Sequence, residues 1–111
     1  MAALSLHTLP VDGGASLTDN LTAAAGGGDT APTGAGRFLV VANGSGGSIT
    51  ATVATPGTVS GLDVENAAVV VPAGKTSMIP LTKAFAGANG RAAITYSGVT
   101  SLTVGAFELG T

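Results

Sequence analysis

The sequence predicts an all-β fold: an antiparallel β-sandwich of immunoglobulin-like or Greek-key kind, or a small barrel, with an extended N-terminal arm. Three observations carry this. Apolar and polar residues alternate with period two in several short runs, as in strands with one face on a core and one in water. Clusters of Gly, Pro and Asn interrupt the chain about every ten residues, the spacing of short strands in sandwiches and barrels. No apolar run holds a helical period.

Leu4, Leu6, Leu9 and Val11 are spaced through a first extended segment. Leu17 to Ala25 reads as a short strand or a helical turn, with Ser16 and Asp19 as adequate caps. Gly26 to Gly28 and the stretch from Asp29 to Gly36, with its Pro32-Thr33-Gly34 step, read as loop. Residues 1–35 are therefore expected to form an arm and a Gly-rich loop, and residues 36–111 the sandwich domain. Spaced leucines on an arm suit a neighbour's surface, so Leu4, Leu6, Leu9 and Val11 are the candidate partner-binding residues. The same pattern suits an edge strand of the domain itself with a loose terminus. On the first reading, deleting residues 1–20 weakens attachment more than stability.

From Arg37 onward every run reads as strand. Phe38 to Ala42 is continuously apolar and short, as expected for a strand buried on both faces. Asn43 to Gly47 is a turn, since Asn and Gly accept positive φ. Ser48 to Thr55 alternates, with Ile49, Ala51 and Val53 on one face and Thr50 and Thr52 on the other. These two runs are expected to form a hairpin. Val59 to Val64 is a short strand or a crossing loop, and Ala67 to Val71 a buried strand ended by the turn Pro72-Ala73-Gly74. Thr76 to Leu81 should be an edge strand or end at Pro80, which lacks a ladder donor. Thr82 to Ala88 connects onward with Phe85 as anchor, and Asn89-Gly90 is a turn. Ala92 to Tyr96 places Ile94 and Tyr96 on one face. In Ser101 to Leu109, Leu102 and Val104 share a face opposite Phe107 and Leu109, and a bulge is expected at Gly105.

Composition narrows function. The 111 residues suffice for one domain. There is no cysteine, so no disulfide framework and no cysteine-based metal site. Charged residues make up 9% and the net charge is −2, so the clustered Lys and Arg of a nucleic-acid surface are missing. Mean hydropathy is +0.52, which favours folding over disorder. With three Phe and no Trp the core must be thin. Burial stabilises by about 25 cal/mol per Å², against an ordering entropy of about 1–2 kcal/mol per residue. Such a domain is expected to gain stability from neighbours, either its own copies or a lattice. Met1 to Pro10 lacks the basic and apolar regions of a signal peptide, and no run approaches a membrane span, so a soluble protein made without export is expected.

Few residues suggest chemistry. His7 is the sole histidine, and no spacing sets a serine and an acid beside it, so it reads as a surface or packing residue. Gly74-Lys75-Thr76 resembles the end of a phosphate loop, but the motif needs a glycine where Val69 stands. The glycines at 26–28 and 44–47 open no helix in a βαβ unit and read as turns. Asp63 and Glu65 share a strand face, as half of a calcium site or carboxylate pair would, yet no further oxygen ligands accompany them. Asn43 and Asn20 begin glycosylation sequons, and Asn43-Gly44 is better explained by turn chemistry. No catalytic residue, cofactor or metal is expected, and the chain reads as non-enzymatic.

The runs Phe38–Gly44, Ile49–Val59, Val70–Thr76, Ile79–Leu81 and Gly90–Ser97 resemble those of small proteins that decorate or cement the heads of tailed bacteriophages. The resemblance covers about residues 36–109, and no residue of the first third carries it. It implies a virion structural protein on the outer capsid surface, made in the host cytoplasm. Its partners would be the major capsid protein and further copies of itself, as a trimer or other homo-oligomer, with neither nucleic acid nor membrane. Many weak copies bridging capsid subunits would hold by multivalency. The alternative is a non-catalytic binding module for carbohydrate or a host surface, part of a larger tail or surface assembly. Sugar platforms expose aromatic rings, and only Phe38, Phe85, Tyr96 and Phe107 are available.

Overall fold

The computed structural model describes residues 2–10, 20–55, 58–63, 66–87 and 90–109. It is a sandwich of two packed, largely antiparallel sheets, as the alternation predicts. The strands are β1 (Ala2–Ala3), β2 (Leu6–Leu9), β3 (Thr22–Ala23), β4 (Asp29–Pro32), β5 (Arg37–Asn43) and β6 (Ile49–Val53). They continue with β7 (Thr58–Val59), β8 (Leu62–Asp63), β9 (Ala67–Val71), β10 (Thr76–Pro80), β11 (Arg91–Tyr96) and β12 (Leu102–Leu109). Sheet I has the order β1-β4-β11-β6-β9, and sheet II the order β10-β5-β12-β2 with β3 also on β12. The β7–β8 ribbon stands apart. A 3-10 turn, Lys83–Phe85, packs the Phe85 side chain on the core.

The core lies between the sheets. Ile49, Ala51 and Val53 from β6, Ala92 and Ile94 from β11, Leu39 and Val41 from β5, and Leu102, Val104 and Ala106 from β12 fill it. β10 is an edge strand, consistent with Pro80 at its end. β9 is an edge strand too, and not a strand buried on both faces: Val70 points out of sheet I and is exposed.

Three further expectations are corrected. The runs on either side of Asn43–Gly47 do not form a hairpin, because β5 pairs with β10 and β12 whereas β6 pairs with β9 and β11. The five residues form an arch from one sheet to the other, held by the Asn43 side chain. Its Nδ2 donates to the carbonyls of Gly47 (2.8 Å) and Val71 (2.9 Å), and its Oδ1 accepts from the Ser45 N–H (2.9 Å) and hydroxyl (2.6 Å). β12 carries no bulge, since its register with β5 runs unbroken from Leu102↔Asn43 to Glu108↔Arg37. Asp29 to Pro32 is a strand rather than loop, paired with β11 and β1.

The arm follows the second of its two readings, edge strands of the domain itself. Residues 2–9 lie along their own domain, β1 parallel to β4 and β2 parallel to β12. The chain crosses between the sheets at Leu4, which is buried in the core and donates its N–H to Thr30 O at 2.8 Å. Arg91 clamps this crossing, with Nη2 donating to Leu4 O (2.8 Å) and Thr30 O (3.0 Å). Leu4 and Ala31 share one core with Leu39 and Ile94. Deleting residues 1–20 removes edge strands from both sheets and a core leucine. It is expected to lower the urea midpoint of unfolding sharply, with an unchanged midpoint in the truncated chain as the contrary result.

Candidate functional site

The outer faces of the two sheets differ in chemistry. On sheet I, period-two alternation turns Thr50, Thr52 and Thr95 outward, with Val70 and Ala68 of the edge strand β9 beside them. On sheet II the outward residues of β10, β5 and β12 are uncharged and largely apolar. The register sets Pro80, Phe38 and Phe107 in one row and Met78, Val40 and Gly105 in the next. The parallel partner of Phe107 is His7, whose ring lies 5.6 Å from the Phe107 ring; Phe38 stacks on the other side at 5.9 Å. His7 is thus a packing residue on this face.

Part of the face is covered and part is open. Val40 and Phe107 are buried although they point away from the main core. Asn20 and Leu21 pass directly over Gly105, where a Cβ would stand 2.9 Å from Asn20 O and 3.0 Å from Leu21 Cδ2. Met78 is 69% exposed and Leu109 55%. Beside Leu109 lies an open groove of about 450 Å³, walled by Phe38, Pro80, Gly36 and the stems of Arg37 and Lys83. Its cationic rim is partly neutralised: Arg37 Nε lies 3.5 Å from Glu108 Oε1, and Arg37 Nη1 donates to Thr33 O at 2.7 Å. The result is an apolar surface edged by charge, which is the composition of a protein-docking patch.

Of the sequence-predicted partner residues the structure brings Leu9 to this face, beside Leu109, and places Leu4 and Leu6 in or against the core. Leu9 is half-buried at the end of β2, and Val11 lies outside the described residues. The face went unrecognised in the sequence because Phe38, Met78 and Leu109 come from three strands that only the register brings together.

Other motifs take structural roles. Gly74 is the third residue of a turn closed by Lys75 N–H to Pro72 O at 3.0 Å, with φ of +73°. That is the position where a type II turn needs positive φ, and Lys75 is exposed. The Asn43 sequon is buried inside its arch. Glu65 lies outside the described residues, so its pairing with Asp63 does too. Among the described residues no three His, Cys, Asp or Glu side chains gather.

A second polar feature lies inside the sandwich, and no sequence signal marked it. Asp29 is wholly buried and accepts a hydrogen bond from the Tyr96 hydroxyl at 2.8 Å. Burial, reinforced by the hydrogen bond to Asp29 and by its negative charge, pushes the Tyr96 phenol well above its ordinary value. A phenol raised on folding stabilises fully below its unfolded value of about 10 and loses that contribution as pH rises above it. Tyr96 is the only tyrosine, so phenolate absorbance is expected to appear together with alkaline unfolding. Free titration of the folded protein near its ordinary value would contradict this burial.

Comparison with protein-family models, curated proteins and solved structures yields no match to this chain.

Proposed function

We propose that the chain is a docking module of a tailed-phage virion, a decoration or cement protein that sits on the outside of the capsid and bridges major capsid subunits through the outer face of sheet II. The observation that supports this is the outer face of sheet II, uncharged, with Met78, Phe38 and Leu109 beside an open groove, whereas sheet I turns threonines outward with Val70 exposed at its edge. The role is mechanical rather than catalytic. Each copy buries apolar area against the shell, and the many copies on one shell let modest single-site affinity suffice. The sequence resemblance over residues 36–109 points the same way. The carbohydrate reading is weaker because its rings are occupied: Phe107 is buried, Phe85 packs on the core and the Tyr96 hydroxyl is held by Asp29.

Cosedimentation with assembled, expanded shells of the phage tests the proposal. The wild-type chain is expected to pellet with shells and not to bind free capsid subunits. Met78 and Leu109 are exposed, so Met78→Asp with Leu109→Asp should leave folding stability within about 0.5 kcal/mol. Each aliphatic side chain buried in a contact contributes about 1.5–3 kcal/mol, and 1.4 kcal/mol is about tenfold in affinity. The double variant should therefore bind at least about a hundredfold more weakly. Equal pelleting of both proteins, or none of either, would reject the assignment.

A further inference from the structure

We propose that the chain pairs with a second copy of itself through the free edge of β9, antiparallel about a two-fold axis at the level of Val69, so that sheet I runs on from one copy into the other. The backbone sets which groups are available. Thr50 O accepts from Ser97 N–H and Ala54 N–H donates to Ala93 O, both at 2.9 Å, so the even residues of β6 face β11 and Ile49, Ala51 and Val53 face β9. Their partners Val71, Val69 and Ala67 therefore use their N–H and C=O within sheet I. Ala68 and Val70 turn theirs to the open side, where sheet I has no further described strand. Both residues are exposed, Val70 at 59%.

An open row of donors and acceptors is a template for another strand, and folded proteins blunt it with charge, proline or brevity. The other sheet edges are blunted in this way. β1 and β3 have two residues each, and β2 has four and is followed by Pro10. On β10, Leu81 N–H donates to Arg37 O and Lys75 O accepts from Asn43 N–H, so Pro80 falls on the free side and its missing N–H interrupts the row. β9 is five residues, Ala-Ala-Val-Val-Val, with no charge and no proline.

The strand itself selects the occupant. The two-fold sets Ala68 opposite the partner's Val70 and Val70 opposite the partner's Ala68, so each open N–H meets an open C=O, in about four backbone hydrogen bonds. Residues 66–73 are uncharged, so identical strands meet without like-charge repulsion, whereas a charged strand would find no counter-charge. The axis stands normal to sheet I, which leaves the outer faces of both copies of sheet II pointing the same way. So short a contact is weak, with a dissociation constant between about 1 µM and 1 mM. The pairing stands apart from the docking reading: it is read on free protein and the docking face on shells, so either can fail alone.

Sedimentation velocity of the full-length chain from about 1 µM to 1 mM is expected to pass from monomer to dimer. Val70→Pro removes an N–H that faces the edge and not the ladder with β6, so it should keep its far-ultraviolet circular dichroism and stay monomeric. Val70→Thr keeps that N–H and the β-branched shape, and should still dimerise. The chain has no cysteine, so the register is tested separately. Opposed Cα atoms lie about 5.5 Å apart, within disulfide reach. An oxidised mixture of Ala68→Cys and Val70→Cys chains should therefore give severalfold more linked dimer than either chain alone, and this readout carries the test if Val70→Pro fails to fold. A wild-type chain that is monomeric throughout, dimerisation unchanged in a folded Val70→Pro, or a mixture that links no better than its components would overturn the pairing.

Discussion

Asn43→Asp is expected to lower the unfolding free energy by about 3–5 kcal/mol, a large share of the roughly 5–15 kcal/mol typical of a domain. The substitution keeps the shape of the side chain and reverses the polarity of one atom. Asn43 is 2% exposed, and its Nδ2 donates to two carbonyls, of Gly47 and of Val71. In the variant an oxygen faces both carbonyls; the exposed Gly47 O keeps the Ser45 hydroxyl as donor at 2.9 Å, and Val71 O loses its side-chain donor. Each of the two lost bonds costs about 1 kcal/mol, and the Val71 acceptor left bare adds about 1–3 kcal/mol. The backbone of the same residue joins the neighbouring arch, with its N–H on Lys75 O and its C=O accepting from Gly74 N–H, both at 2.9 Å. The β5–β6 and β9–β10 crossings therefore meet at one amide, and the damage cannot stay within one loop. Urea unfolding followed by far-ultraviolet circular dichroism measures the effect. A midpoint for Asn43→Asp within the error of wild type would refute this account of the arch.

The way Asn43 misleads in the sequence shows what was legible and what was not. Strand existence was readable because burial writes itself into alternation: Ile49-Thr50-Ala51-Thr52-Val53 gave β6 its inner and outer faces residue by residue. Strand pairing was not readable, because Asn-Gly favours positive φ whether the chain turns back in its own sheet or arches to the other. The deciding fact is a side-chain contact to Val71, 28 residues away, which local sequence does not encode. The leucines of the first segment are a similar case. Apolar spacing said that they would be buried against something, and a spare edge on each sheet, with Arg91 to hold the crossing, made that something their own domain. Asp29 was hidden for the opposite reason. An aspartate after three glycines looks like a solvated loop residue, and its partner Tyr96 lies 67 positions away. The apolar face of sheet II was half legible: Phe107 and Leu109 were placed together on one side of β12, but Met78 and Phe38 joined them only through the register of sheet II.

Gly105 brings these threads together, and its substitution tests them against a simple rule. A glycine in the middle of a strand is ordinarily a weakness, and replacing it with Ala or Val should gain up to about 1 kcal/mol from β-propensity alone. Here the opposite sign is expected. A Cβ at this position would lie 2.9 Å from Asn20 O, 3.0 Å from Leu21 Cδ2 and 3.0 Å from Phe107 Cε2. The two side-chain atoms can rotate aside, but the Asn20 carbonyl is backbone and moves only if the crossing segment lifts. Overpacking of this kind costs about 1–3 kcal/mol, so Gly105→Ala should destabilise modestly and Gly105→Val by about 2 kcal/mol or more. The segment that lifts is the cover over Gly105 and the Phe107 edge on the outer face of sheet II. Gly105→Val is therefore expected to raise binding of a hydrophobic dye and to speed proteolysis near Leu21 before global unfolding, a pattern that a core defect would not give. The absent side chain at 105 is what lets one stretch of chain close part of an apolar face and leave the rest, around Met78 and Leu109, open. A Gly105→Ala protein more stable than wild type would show that nothing presses on this position, and that the crossing segment does not bound the face.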